Sequence, residues 1–112
     1  MAAAPDRKLK KILRVVENKK GEEVKVLDLR KLTWITDYFV ILHGTSLIQN
    51  RTIAESLLES LDDRPISVEG YEDGKWILLD YGDVMVHIFL PDVRQFYHLE
   101  KLWGDADVVS LT

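Results

Sequence analysis

The residues of this chain that could do chemistry are few. There are three histidines, no cysteine, and a small set of hydroxyls and carboxylates beside glycines. Gly44-Thr45-Ser46 stands where an apolar run gives way to a helical pattern. A helix N-terminus offers unpaired backbone N–H groups to an anion, so this turn could cradle a phosphate. Nucleotidyl transfer is the reaction such a turn would serve. It also needs two carboxylates one residue apart on a strand, to hold a pair of metal ions. No Asp-x-Asp or Glu-x-Glu ends an apolar strand here. Asp80 and Asp83 lie three apart across Gly82, so they splay and read as turn formers. His43, His87 and His98 match no zinc spacing. His87 lies in an apolar run and reads as a hydrogen-bonded core histidine, while His43 could face the Asp80–Asp83 turn. No Ser/His/Asp order and no phosphate-binding glycine loop occurs. Arg94 and Gln95 beside aromatics would suit stacking on RNA only within a basic groove, which the composition does not supply. No catalytic residue, metal or cofactor is therefore expected. A nucleotidyltransferase-like enzyme or nucleotide-binding protein is the alternative reading.

What remains is surface. Trp and Tyr anchor interfaces because they bury much area and keep one polar handle. Trp76, Leu78 and Asp80 are two apart and share one side of a strand. Tyr97, Glu100 and Trp103 are three apart and would share one side of a helix. If that helix borders the strand, the six make an aromatic centre with acidic edges. They are the expected partner-binding residues.

The elements that must position them centre on Trp76 to Tyr81 and Val84 to Leu90, two apolar arms joined by a Gly-containing turn. They read as a hairpin, and their near-continuous apolar character predicts strands covered on both faces. Upstream, Asp6 is the expected N-cap of a basic amphipathic helix over about residues 6–19, with Leu9, Ile12, Leu13 and Val16 inward. Strands are expected over Val24 to Leu29 and Asp37 to Leu42, the second central. Ser46 should cap the next helix, with Gln49 closing a capping box. Ile53, Leu57, Leu58 and Leu61 form its buried stripe, and Asp62-Asp63-Arg64-Pro65 ends it. A short strand follows over Ile66 to Gly70. Leu90-Pro91-Asp92 should open one last helix, before a short tail over residues 104–112. Strands and helices intermix, so the class is α/β, a single domain over 1–112 with a mixed β-sheet flanked by helices.

The 112 residues suit one domain, and the lack of cysteine fits a reducing compartment. Met1-Ala2-Ala3-Ala4-Pro5 is too short and too soon followed by charge to be a signal peptide. No apolar run reaches the roughly 20 residues of a membrane span, so a cytoplasmic protein is expected. The net charge of −4 argues against a phosphate-driven grip on nucleic acid. The first 20 residues are basic and the chain from Glu55 onward is acidic, a surface that could meet a basic protein.

The run from Trp76 to Phe89 resembles the signature of the Iojap family, the ribosomal silencing factors. Asp28-Leu29-Arg30 with Thr36 to Ile41, Gly44-Thr45-Ser46 with Gln49, and Arg94 to Trp103 match in the expected order. The resemblance covers nearly the whole chain. It implies a nucleotidyltransferase-like core without catalytic carboxylates. It also implies binding to the large ribosomal subunit through its fourteenth protein, at the intersubunit face, so that joining with the small subunit is blocked and translation is repressed. Little direct nucleic-acid contact is expected. A third reading is an adaptor that forms a homodimer through the hairpin face.

Overall fold

The computed structural model describes residues 3–109, with side chains from Arg7 onward. Its elements, in order, are α1 (Ala3–Asn18), β1 (Glu22–Asp28), β2 (Tyr38–His43), α2 (Leu47–Ser60), β3 (Ser67–Glu69), β4 (Trp76–Asp80), β5 (Val84–Phe89), α3 (Pro91–Tyr97), α4 (Leu99–Leu102) and β6 (Asp107–Val108). The strands form one mixed sheet in the order β3-β4-β5-β2-β1-β6. Only β2 and β5 run parallel; the other neighbours are antiparallel.

Each element follows from its residues. β2 is apolar almost throughout and is buried from end to end, as a central strand must be. The hairpin is present: Trp76 opposes Phe89 and Asp80 opposes Met85. Gly82 turns it with φ +88°, a left-handed conformation that glycine adopts freely, and Asp80 Oδ1 accepts the Gly82 N–H at 2.8 Å. The first arm is not covered on both faces, however. Ile77 and Leu79 are buried, whereas Trp76, Leu78 and Asp80 are half-exposed. One face of β4 packs on helices and the other is left open.

Two apolar clusters flank the sheet. On one face Leu9, Ile12 and Val16 of α1 and Ile53, Ala54 and Leu57 of α2 pack on Val40, Leu42, Ile77, Leu79, Val86 and Ile88. On the other face Leu27, Phe39, Ile41 and Phe89 pack with Leu99, while Trp76, Met85, Val93, Trp103 and Ala106 edge the cluster. This second cover is short: Trp76 of β4 edges it, while Leu78 and Asp80 of β4 and the strand β3 lie outside it.

Several boundaries differ from expectation. α1 begins at Ala3, so Asp6 lies within the helix instead of capping it. Alanines favour the helix, and Pro5 is tolerated in a first turn, whose N–H groups have no intrahelical acceptor. β1 starts at Glu22, with an irregular register between Glu22 and Lys25. Asn50 joins the buried face of α2, while Leu58 lies at its margin. The tail contributes the edge strand β6, and the last part of the expected tail, residues 110–112, lies outside the described residues. The segment read against a signal peptide, Met1 to Pro5, also begins outside them.

Candidate functional site

The open half of the sheet is built from side chains that share a side by register. Residues directly opposite on antiparallel strands face the same way. Glu69 opposes Leu78, Ser67 opposes Asp80, Trp76 opposes Phe89, Leu78 opposes His87 and Asp80 opposes Met85. Trp76, Leu78 and Asp80 thus line one stripe, as their spacing predicts, with Glu69 and Ser67 on one flank and Met85 and His87 on the other. Asp80 lies four residues from Trp76, roughly 13 Å along the strand. The stripe is aromatic at one end and acidic at the other.

α3 completes the aromatic end. The Tyr97 ring lies 4.8 Å from that of Trp76 and meets Phe96 edge-on at 5.0 Å. Phe96 is 80% exposed and Tyr97 52%, an unusual position for two adjacent rings on a short helix. Trp76 packs on Phe89 at 4.9 Å, and its Nε1–H donates to His87 Nδ1 at 3.1 Å. His87 is buried, as expected of a core histidine, and burial pushes its pKa down to about 4.

The single terminal helix expected to align Tyr97, Glu100 and Trp103 does not exist. α3 ends at Tyr97, and His98 takes the left-handed conformation, φ 49° and ψ 59°. Tyr97 joins the open face. Glu100 instead turns to Arg94, whose Nε and Nη2 donate to Glu100 Oε2 at 3.0 and 2.7 Å. Burial is the strongest influence on the Glu100 carboxyl and raises it, but the Arg94 bonds, its own backbone N–H and the Arg94 and His98 charges together hold its pKa below the ordinary value. Trp103 stands edge-on to Phe39 at 5.8 Å, half-buried in the second cluster. The acid beside the aromatics is therefore Glu69 and not Glu100. Glu69, Met85 and Phe96 escaped the sequence reading. The pairing of β3 with β4 would have located Glu69, and no spacing signal singles out Phe96.

The chemistry-bearing residues are engaged elsewhere. His43 sits at the opposite end of the sheet from the Asp80–Asp83 turn. Its Nδ1 lies 3.0 Å from Arg94 Nη1 and its Nε2 3.3 Å from Glu22. Asp83 pairs with Lys8 at 2.8 Å, and Lys8 also reaches Asp63 at 2.7 Å, which ties α1 to the hairpin turn. At the Gly44 turn, Ser46 Oγ accepts the Gln49 N–H at 3.0 Å, the expected cap. Gln49 does not close a box on Ser46. Its Oε1 accepts from Thr45 N at 2.7 Å, and its Nε2 donates to the Lys19 and Lys20 carbonyls. A Cβ on Gly44 would stand 2.4 Å from Asn50 Oδ1, and Asn50 Nδ2 donates to the Gly74 carbonyl at 2.8 Å. The turn thus holds α2 against its neighbours.

Comparisons with known proteins agree with this frame. The family model described as "Ribosomal silencing factor during starvation" matches residues 2–112. The ribosomal silencing factor RsfS of Halalkalibacterium halodurans is 44% identical, over 86% of this chain and 85% of that protein. Its namesake from Bacillus subtilis is 41% identical, over 85% of this chain and 83% of that one. The chloroplastic protein Iojap of Zea mays is 39% identical over 82% of this chain, and the match takes in 41% of its own length. A crystal structure of a Chromobacterium violaceum protein superimposes with a TM-score of 0.84 at 35% identity, covering 88% of this chain and 85% of that one.

Proposed function

This chain belongs to the ribosomal silencing factor family, and from that premise we propose that it docks on the large ribosomal subunit through the open half of its sheet. The partner is the subunit's fourteenth protein, at the intersubunit face. Occupying that face excludes the small subunit, so translation is repressed by steric occlusion. The mechanism asks nothing of the protein but shape and charge. Asp80 and Asp83 serve a turn and a lysine, so turnover is not part of this reading. No helix among the described residues is long and apolar enough to cross a membrane, which suits a factor working on cytoplasmic ribosomes.

One observation carries the proposal. Phe96 and Tyr97 are exposed, Tyr97 packs on Trp76, and Leu78 and Asp80 continue the same side of β4 with Glu69 opposite Leu78 on β3. Aromatic anchors supply burial, and carboxylates at the margin steer a basic partner into register. The test is titration of isolated large subunits with wild type and variants, alongside a subunit-joining assay. Trp76→Ala should cost on the order of 2 kcal/mol of binding and release the block on joining. Phe96→Ser should weaken binding with no loss of melting temperature, because its ring is mostly in water. A folded Trp76→Ala protein that binds and blocks joining like wild type would place the docking face elsewhere.

A further inference from the structure

We propose that His87 is a positioning residue for the docking face: its ring accepts the Trp76 indole N–H and fixes the pose in which the indole meets the partner. The proposal rests on the reading of the open sheet face as the docking surface. Trp76 Nε1 lies 3.1 Å from His87 Nδ1, so Nδ1 carries no proton and the neutral ring is protonated at Nε2. His87 cannot swing away. It is 5% exposed, stands edge-on to Phe39 at 4.5 Å and is stacked with Phe89 at 6.1 Å.

Trp76 is only half-buried, and its neighbours limit it unequally. Phe89 and Tyr97 pack at 4.9 and 4.8 Å and restrict its tilt. Ring contacts of this kind do not choose between the two flips of an indole. The bond to Nδ1 does, because the flipped ring would set a carbon edge against a buried acceptor. One indole pose is thereby held before the partner arrives, and the ordering cost of binding falls accordingly. Because the N–H is committed inward, the partner meets the indole through its ring and needs no acceptor opposite it. Burial keeps the imidazole neutral near pH 7, so the acceptor persists under cellular conditions.

The experiment compares His87→Asn with His87→Gln in the full chain. Asparagine places a carbonyl oxygen near the Nδ1 position, whereas glutamine matches the size of histidine but carries its carbonyl further out. Two readouts are needed: the NMR signal of the Trp76 indole N–H, assigned by its loss in Trp76→Phe, and affinity for isolated large subunits. His87→Asn should keep a slowly exchanging indole N–H and near wild-type affinity. His87→Gln should speed that exchange and weaken binding by roughly 3- to 10-fold, the ordering cost of one such side chain. In a Trp76→Phe background the two His87 variants should bind alike, because the group they position is gone. Equal affinities for His87→Asn and His87→Gln in wild-type background would overturn the proposal, as would a difference that survives in Trp76→Phe. If Trp76→Ala itself binds like wild type, the docking face is wrong and the positioning role fails with it. If Trp76→Ala loses binding while both His87 variants keep it, the positioning role alone fails.

Discussion

At the residue scale, the folded state keeps two polar groups where the unfolded chain would not. His87 is buried and its pKa falls to about 4, against 6.5 for the free side chain. Between those values the unfolded chain binds a proton that the native protein excludes, so stability rises with pH across that window. On acidification, the His87 contribution should decline from about pH 6.5 and level off below about pH 4, a loss on the order of 3 kcal/mol. Urea unfolding at pH 7, 5.5 and 4.5 measures it, and His87→Leu should flatten that part of the profile. Ser46 makes the second case. Its hydroxyl satisfies the Gln49 N–H, one of the orphan donors at the start of α2. Ser46→Ala should lower stability by about 1 kcal/mol in the same assay, and partner binding by the folded fraction should not change.

At the element scale, the break between α3 and α4 is a finding with a cause. On a continuous helix, residues six apart point about 240° from one another, so Glu100 could not reach Arg94. The left-handed His98 turns the chain back and closes that pair, with the His98 N–H still bonded to the Arg94 carbonyl at 2.8 Å. Arg94 is buried and Glu100 nearly so, and removing one partner would strand the other charge. Arg94→Met should therefore cost about 3 kcal/mol of stability by urea unfolding, with much of it recovered in the double variant Arg94→Met/Glu100→Leu. His98→Gly should stabilise the protein by about 1 kcal/mol, since glycine accepts the left-handed conformation without steric penalty. The break also explains why Tyr97 and Trp103 part company, one to the open face and one into the second cluster.

At the scale of the whole molecule, charge is segregated. The first 20 residues hold seven basic and two acidic side chains; the remaining 92 hold eight and 17. α1 carries five of those seven basic residues on one side of the sheet, and Glu69 and Asp80 lie on the other. On the proposed docking, this arrangement would steer a basic partner toward the open face. Glu69→Lys should slow association with large subunits by stopped-flow, leave dissociation nearly unchanged, and lose its effect as salt rises past about 0.5 M. Glu100 would not report this steering, because its charge is held by Arg94.

The sequence by itself determined the family, the mixed α/β class, the central hairpin, the Ser46 cap and the shared side of Trp76, Leu78 and Asp80. The family came from the resemblance of whole motifs, and the rest from local patterns: period-two spacing, turn residues, capping chemistry and long apolar runs. Tertiary structure alone decided which half of the sheet stays open, because that depends on how far the C-terminal cover extends. It moved Glu100 from the face to Arg94 and brought Glu69 there through the β3–β4 register, a pairing no local spacing encodes. It also decided that His87 lies beneath Trp76. The two belong to neighbouring strands and meet only because the hairpin register sets them diagonally on one side of the sheet.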